Sequence, residues 1–367
     1  MLRTKFLLLS VALSVMLAAS GSCSPSYSVI DLGTLAGDDT IATAINNNGV
    51  AVGSSGSQAF VWDSDHGIRA LARGCSASAV NDKNQVLVYE YGPGWSQGVI
   101  LSPTAPDIVV PQGEYMNVSG QRINNLGHVA GTLGTYVTTE NGEDAATHAM
   151  FWDGGVEVTD LGDLSGLSGR MGIGMAVNDR DTVVGYARRA DNREHAFFWD
   201  IRTGIHDLGT LGGDRSFATD INSAGYIVGA SENGDYSDPY DPGQRAYLWF
   251  DDKMSELDSQ GKNANANAIN NHNVIVGAME TVYSVRAVSW QDGLMTDLND
   301  LIAPGTGWEL QVARDINDKG QIVGSGLLDG QKRAFLLQPV PEPSSMATLA
   351  LSLGCVAFYV RNHRRSM

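Results

Sequence analysis

Cysteine is almost missing from this chain, and its three copies among 367 residues fall at Cys23, Cys75 and Cys355. With one near each end and one in the body, no disulfide framework can form within the body. Cationic side chains are scarce too: 24 Lys and Arg stand against 41 Asp and Glu, a formal charge of -17 at pH 7. The ends mask part of the imbalance, since residues 1–25 and 341–367 hold five bases and one acid, leaving 19 bases against 40 acids, or -21, for residues 26–340. Phosphate backbones and anionic membranes repel so acidic a body, which excludes a nucleic-acid partner from the expected ones. Proline is sparse, at 11 residues against 43 glycines. With 43% apolar residues, that balance implies many tight turns around a sizeable core, as in an all-β chain.

Long apolar runs occur only at the two ends. Residues 1–25 read as a signal peptide: Arg3 and Lys5 form a basic start, Phe6 to Ala18 an apolar stretch, and Ala18, Ala19 and Ser20 a small-residue cleavage site. An uncleaved N-terminal anchor is the alternative, although the run is short for a span. Cys23 raises lipidation, but Ser20 stands where a lipobox carries Leu. At the other end, Pro341-Glu342-Pro343 precedes an apolar run from Met346 to Val360 and a basic close containing Arg361, Arg364 and Arg365. Fifteen apolar residues at about 1.5 Å each reach roughly 22 Å, short of the ~30 Å hydrocarbon core. Flanking arginines can snorkel, so transient membrane insertion is expected, with the C-terminus held in the cytoplasm.

That order of Pro-Glu-Pro, short apolar helix and basic close resembles the PEP-CTERM sorting tail of Gram-negative exported proteins. The resemblance covers residues 339–367 and implies an exosortase-type membrane protease as partner, cutting near Pro341-Glu342-Pro343. The implied localisation is transient at the inner membrane, then cell envelope or extracellular. A tail kept as a permanent single-span anchor is the alternative.

The body repeats. Ala44-Ile45-Asn46-Asn47-Asn48-Gly49 returns six times, with its first asparagine at Asn81, Asn124, Asn178, Asn222, Asn270 and Asn317. Seven copies spaced by about 45 residues match the period of four-stranded propeller blades. Three residues after each motif asparagine stands Gly49, Asn84, Gly127, Asp181, Gly225, Asn273 or Gly320, types that tolerate positive φ. A hairpin turn ending in a left-handed residue is therefore expected, with the motif asparagine bonding backbone two residues ahead. A β-branched pair closing on glycine follows, as in Val183-Val184-Gly185 and Ile227-Val228-Gly229, with the second unit breaking the rule at Tyr89. A third strand ends on Trp in Ala59-Phe60-Val61-Trp62 and in four others, and a fourth gathers around Asp160-Leu161-Gly162 or Asp207-Leu208-Gly209. These signatures resemble the HAF repeat of extracellular bacterial proteins over residues 27–338, a resemblance that implies no particular activity. The expected fold is all-β, a seven-bladed propeller of four-stranded blades closed by the N-terminal strand Tyr27 to Gly33. A linear β-solenoid is the competing architecture.

Repetition argues against a catalytic role for repeated residues. His148 and His195 occupy one place in successive units, filled elsewhere by Gln58, Arg245, Arg286 and Arg333, so a structural role is expected. The chain has no Gly-x-Ser-x-Gly elbow before a helix, no His-Glu-x-x-His and no phosphate loop, so no catalytic residue is assigned. The stretches that depart from the repeat read as loops: Thr135 to Thr147, with Glu140, Glu143 and Asp144, and Asn233 to Gly243, with Asp235, Asp238 and Asp241. The second would offer oxygens to Ca²⁺ at residue steps of three; solvated charge is the plainer reading, and no other cofactor is expected. Two functions follow. One is a non-catalytic exported scaffold that binds an envelope protein or a polysaccharide. The other is an extracellular glycan hydrolase or lyase with a channel site, which unequal acids at equivalent positions would favour.

Overall fold

In the computed structural model, the described residues are 27–340, apart from 38, 93–94, 114, 116, 140–141, 166–170 and 236–242. The expectations on Ala18, Ala19, Ser20, Pro341, Glu342, Pro343, Arg361, Arg364 and Arg365, and the apolar run before those arginines, fall outside the described residues. Among the described residues no helix is long and apolar enough to cross a membrane.

Residues Val29–Gln338 form one compact unit. The chain is all-β. After β1 (Tyr27–Asp31) come β2 (Thr40–Ile45), β3 (Ala51–Ser55), β4 (Gln58–Asp63), β5 (Gly67–Ala70), then β6 (Ser76–Val80), β7 (Val86–Gly92), β8 (Trp95–Leu101) and β9 (Ile108–Val109). Next are β10 (Asn117–Ile123), β11 (Val129–Thr139), β12 (Gly142–Trp152), β13 (Thr159–Gly162), β14 (Gly172–Val177), β15 (Val183–Arg188), β16 (Glu194–Asp200) and β17 (Gly204–Asp207). The last are β18 (Ser216–Ile221), β19 (Ile227–Glu232), β20 (Gln244–Phe250), β21 (Lys253–Glu256), β22 (Ala264–Ile269), β23 (Ile275–Glu280), β24 (Val285–Gln291), β25 (Leu294–Asp297), β26 (Trp308–Ile316), β27 (Ile322–Leu328) and β28 (Gln331–Pro339).

Chain neighbours pair antiparallel into four-stranded sheets, β2 to β5, β14 to β17, β18 to β21 and β22 to β25. The strands β6 to β9 and β10 to β13 form two further groups of four, joined into one eight-stranded sheet where β10 meets β8 in parallel at Val118 and Gln97. A last sheet runs β1-β28-β27-β26, so the first strand lies beside the last; just beyond it, the Leu32 N–H donates to the Ala334 carbonyl at 3.1 Å.

The motif explains each inner hairpin. Asn46 Oδ1 accepts the N–H groups of Asn48 at 3.0 Å and Val50 at 2.9 Å, and Gly49 closes the turn at φ 81°. The other six turns share that left-handed residue, including the non-glycines Asn84, Asp181 and Asn273 at φ 57° to 61°. The innermost strand then carries a β-bulge, in the first unit between Ala42 and Ala44. The bulge brings the Ile41 carbonyl so near Gly53 that a Cβ there would sit 2.0 Å from its oxygen, which is why the β-branched pair ends on glycine in six of the seven units. In the second unit the register pairs Ala77 with Val88, so Val88, not Tyr89, replaces that glycine.

The stretch from Thr135 to Thr147 is not a loop. Strands β11 and β12 continue through it, pairing Thr135 with Ala146 and Thr139 with Gly142. Backbone pairing extends the hairpin where the acids suggested a solvated excursion.

The core lies between successive sheets. Ala44, Val52 and Ala59 pack with Ala77, Val80 and Val86; Ala130, Ala149 and Phe151 pack with Val177, Phe197 and Trp199. Leu32, Ala42, Phe60 and Trp62 pack with Val323, Ala334 and Leu336, so the first and last groups share a core. The strand-ending Trp residues serve this packing: Trp290 is buried, and its indole N–H donates to the Asp258 carbonyl at 2.6 Å.

Candidate functional site

The seven motif asparagines meet. Each side-chain amide donates to the carbonyl of the next motif asparagine: Asn46 to Asn81 at 2.8 Å, Asn81 to Asn124 at 2.9 Å, Asn124 to Asn178 at 2.9 Å and Asn178 to Asn222 at 3.2 Å. Asn222 continues to Asn270 at 3.2 Å, Asn270 to Asn317 at 3.1 Å, and Asn317 returns to Asn46 at 2.9 Å. All seven are nearly buried. One amide oxygen fixes the local turn while the amide nitrogen ties that turn to the next, so every polar atom of a buried Asn is used.

The left-handed residues have a second task. Asn84, Asp181 and Asn273 each offer Oδ1 to the motif amide of the preceding unit, at 2.7, 3.0 and 2.9 Å. Glycine could make the turn at these places but could not accept this bond.

The residues following the motif asparagines make an outer circle, linked by hydrogen bonds at six of its seven steps. The N–H of Asn47 donates to Asp82 Oδ1, that of Asp82 to Asn125, of Asn125 to Asp179, of Ser223 to Asn271, of Asn271 to Asp318 and of Asp318 to Asn47, at 2.8 to 3.0 Å. Together with the motif asparagines and the apolar residue before each, this circle lines a vestibule of about 180 Å³, into which Asp220 also projects.

The position two residues before each motif asparagine departs from symmetry. Ala44, Ala79, Ala176 and Ala268 hold it in four units, whereas Arg122, Asp220 and Asp315 hold it in the other three. Arg122 reaches across to Asp315, with Nη1 to Oδ2 at 3.2 Å and Nη2 to Oδ1 at 3.4 Å. Asp315 also accepts the N–H groups of Ile45 at 2.9 Å and Ile316 at 3.0 Å, and Asp220 accepts that of Ile269 at 2.9 Å. Burial pushes the Asp220 carboxyl up to about 6, with the Arg122 charge opposing the rise and the Asp315 charge adding to it. Burial also works against the Arg122 charge, yet Asp315 and Asp220 hold that guanidinium above its ordinary value. Asp220, raised in this way beside the Arg122 cation, is a group that can store or exchange a proton. Asp315 is already occupied by three donors.

His148 and His195 stay apart, each bonded within its own sheet. His148 Nδ1 lies 2.8 Å from Asp160 and His195 Nδ1 2.8 Å from Asp207. The partner in each case is the aspartate of the fourth-strand Asp-Leu-Gly, a structural role as expected. The Asp160 hydrogen bond raises the His148 pKa against the opposing effect of burial. Of the acidic triplet, Asp235 is described, its N–H donating to Asn233 Oδ1 at 3.0 Å, while Asp238 and Asp241 lie outside the described residues.

Sequence reasoning gave the asparagines a turn-forming role only. It missed the amide cycle and the charged triad, although the triad left a signal: three charged residues in a column otherwise filled by alanine.

Sheets that pack face against face around shared polar turns define a propeller-fold protein. The β-propeller domain of the Trilobed protease from Pyrococcus furiosus is 12% identical, with 84% of this chain and 100% of that chain covered and a TM-score of 0.53. The acylaminoacyl peptidase of Pyrococcus horikoshii is 11% identical, with 88% of this chain and 55% of that chain covered and a TM-score of 0.56. At such identities the likeness shows the fold alone. The chain belongs to the family described as protein of unknown function (DUF3466), whose model matches residues 133–336. No curated protein matches it.

Proposed function

We propose that this chain is an exported, non-catalytic binding scaffold of the cell envelope or extracellular matrix, a seven-bladed propeller closed by its N-terminal strand. The observation that carries this reading is the closed cycle of seven amides, with the charged triad beside it spent on backbone N–H groups and on its own ion pair. Groups so engaged hold a ring together. The seven groups of four strands, with β1 filling the fourth place beside β28, support the blade count and the closure. The terminal segments supply the route: export through residues 1–25, transient membrane insertion through the PEP-CTERM-like tail, and processing by an exosortase-type protease near Pro341-Glu342-Pro343. The HAF-like repeat fits an extracellular body, and a Ca²⁺ ion held by Asp235, Asp238 and Asp241 would stabilise it.

One observation favours a second reading. Asp220 and Asp315 are unequal acids at equivalent positions, and Asp220 opens onto the vestibule, as a glycan hydrolase or lyase with a channel site would require. A panel of polysaccharides incubated with the purified protein and with Asp220→Asn separates the two. The scaffold reading expects no turnover, whether or not a polysaccharide binds, and turnover abolished by Asp220→Asn would replace it with the enzyme reading.

A further inference from the structure

The junction between β6–β9 and β10–β13 is where the repeat is least regular, and it holds a second cavity. The fourth strand there, β9, has only two residues, which pair with Val99 and Ile100 of β8, and further along β8 meets β10 in parallel at Gln97. Between them opens a cleft of about 440 Å³, in the range of small-molecule sites. Its lining includes Trp95, Ser96, Asn117, Ser119, Thr132 and Thr147. No charged side chain is among them, on a protein whose formal charge is -17.

The cleft is built. Trp95 is 41% exposed, a large apolar face left uncovered. Its indole lies across Gly92, where a Cβ would come within 2.4 Å of the ring, so the hairpin keeps that face in place by omitting a side chain. Ser96 Oγ donates to Asn117 Oδ1 at 3.2 Å and Gln112 Nε2 donates to the Ser96 carbonyl at 2.8 Å, which fixes the polar wall. Ser119, Thr132 and Thr147 add three hydroxyls.

A flat aromatic face sharing one cleft with neutral hydroxyls and an amide suits one kind of ligand. The C–H faces of a sugar ring stack on an indole, and its hydroxyls exchange hydrogen bonds with Ser, Thr and Asn side chains that neither repel nor neutralise charge. The acidic body would disfavour a polyanion.

We propose that this cleft binds a neutral polysaccharide segment, with Trp95 as the stacking platform and Asn117, Ser119, Thr132 and Thr147 as its hydrogen-bonding wall. The assignment rests on the binding-scaffold reading and gives it a ligand class and a place.

The test is affinity electrophoresis and calorimetry of the purified protein with a neutral glucan and a neutral galactomannan, with alginate as the charged control. A neutral glycan should bind, Trp95→Ala should weaken it by about tenfold or more, and Trp95→Phe should restore most of the affinity. Gly92→Ala, which displaces the indole without removing it, should weaken binding as well. Equal melting temperatures certify that the variants are folded. Binding of the neutral glycan unchanged in Trp95→Ala and Gly92→Ala would overturn the site but leave the scaffold reading standing. Binding of alginate alone would overturn the ligand class, and no binding to any of the three would overturn the inference while leaving a protein ligand for the scaffold.

Discussion

Four alanines and three charged residues share one place in the repeat, and the charged ones make the stability of the protein depend on pH. Asp220 titrates at about 6 in the folded chain and at about 4 when unfolded. Between those values the native state binds more protons than the unfolded state, so stability falls as pH rises from about 4 to 6 and stays lower above. Allowing for water in the vestibule, the penalty at neutral pH is on the order of 2 kcal/mol. Asp220→Asn keeps an acceptor for the Ile269 N–H and removes the charge, so its melting temperature at pH 8 should exceed that of the parent and the gap should shrink at pH 4.5. Asp315→Asn should do the reverse, costing about 3 kcal/mol, because the buried Arg122 guanidinium loses its partner. His148 works in another window. Its folded pKa is raised, so its bond to Asp160 contributes fully below about 6.5, the unfolded value, and fades as pH climbs through the folded one. His148→Gln, the residue type standing at Gln58, should therefore cost more in melting temperature at pH 5.5 than at pH 8.

The unit of this fold is a turn that does two jobs, and only one was legible. That Asn46 would cap its own turn and that Gly49 would be left-handed followed from local chemistry, since both act within four residues. That Asn46 also donates to Asn81 did not, because the partner lies a full repeat away and nothing local points the amide at it. The same limit hid the β11–β12 extension: Thr135 to Thr147 lacks apolar alternation, and its pairing is a matter of backbone hydrogen bonds that the sequence does not display. Arg122 and Asp315 were legible as exceptions in a column of alanines but not as partners, being 193 positions apart. The dual role has a measurable consequence. Asn178→Ala removes two acceptor bonds to the N–H groups of Arg180 and Thr182 and one donor bond to Asn222. With each buried group left unpaired at about 1–3 kcal/mol, the loss should be about 3 kcal/mol or more in chemical denaturation. Asn178→Asp keeps the acceptor and loses the donor. It should fall between parent and alanine if the turn dominates, and below alanine if the carboxylate facing the Asn222 carbonyl dominates.

Across the whole molecule, two features tie the ends of the body together, one polar and one apolar. The amide cycle is closed by Asn317 and Asn46, and the first and last sheets share the cluster of Leu32, Phe60, Trp62, Val323 and Leu336. Strand β1 belongs to both the sheet and the cluster: it lies beside β28, and its Ile30, with Leu32 just beyond its end, packs into that core. On the proposed closure, β1 is the fourth strand of the last blade, and without it β28 becomes an open edge with unpaired backbone groups. Removing residues 27–34 from the chain should then do more than trim an end. It deletes the buried Leu32, worth about 2–5 kcal/mol on truncation alone, and uncovers the flank of Phe60 and Trp62. The melting temperature should drop by ten degrees or so, roughly what a loss of several kcal/mol produces in a domain of this size. The exposed β28 edge should also recruit the same edge of a second chain, so that light scattering reports dimers or larger species that a synthetic peptide of residues 27–34 disperses on binding. Leu32→Ala separates the two contributions: it should lower stability while leaving the protein monomeric, since the strand still pairs. A deletion variant that stays monomeric with unchanged melting would place the closure elsewhere in the chain.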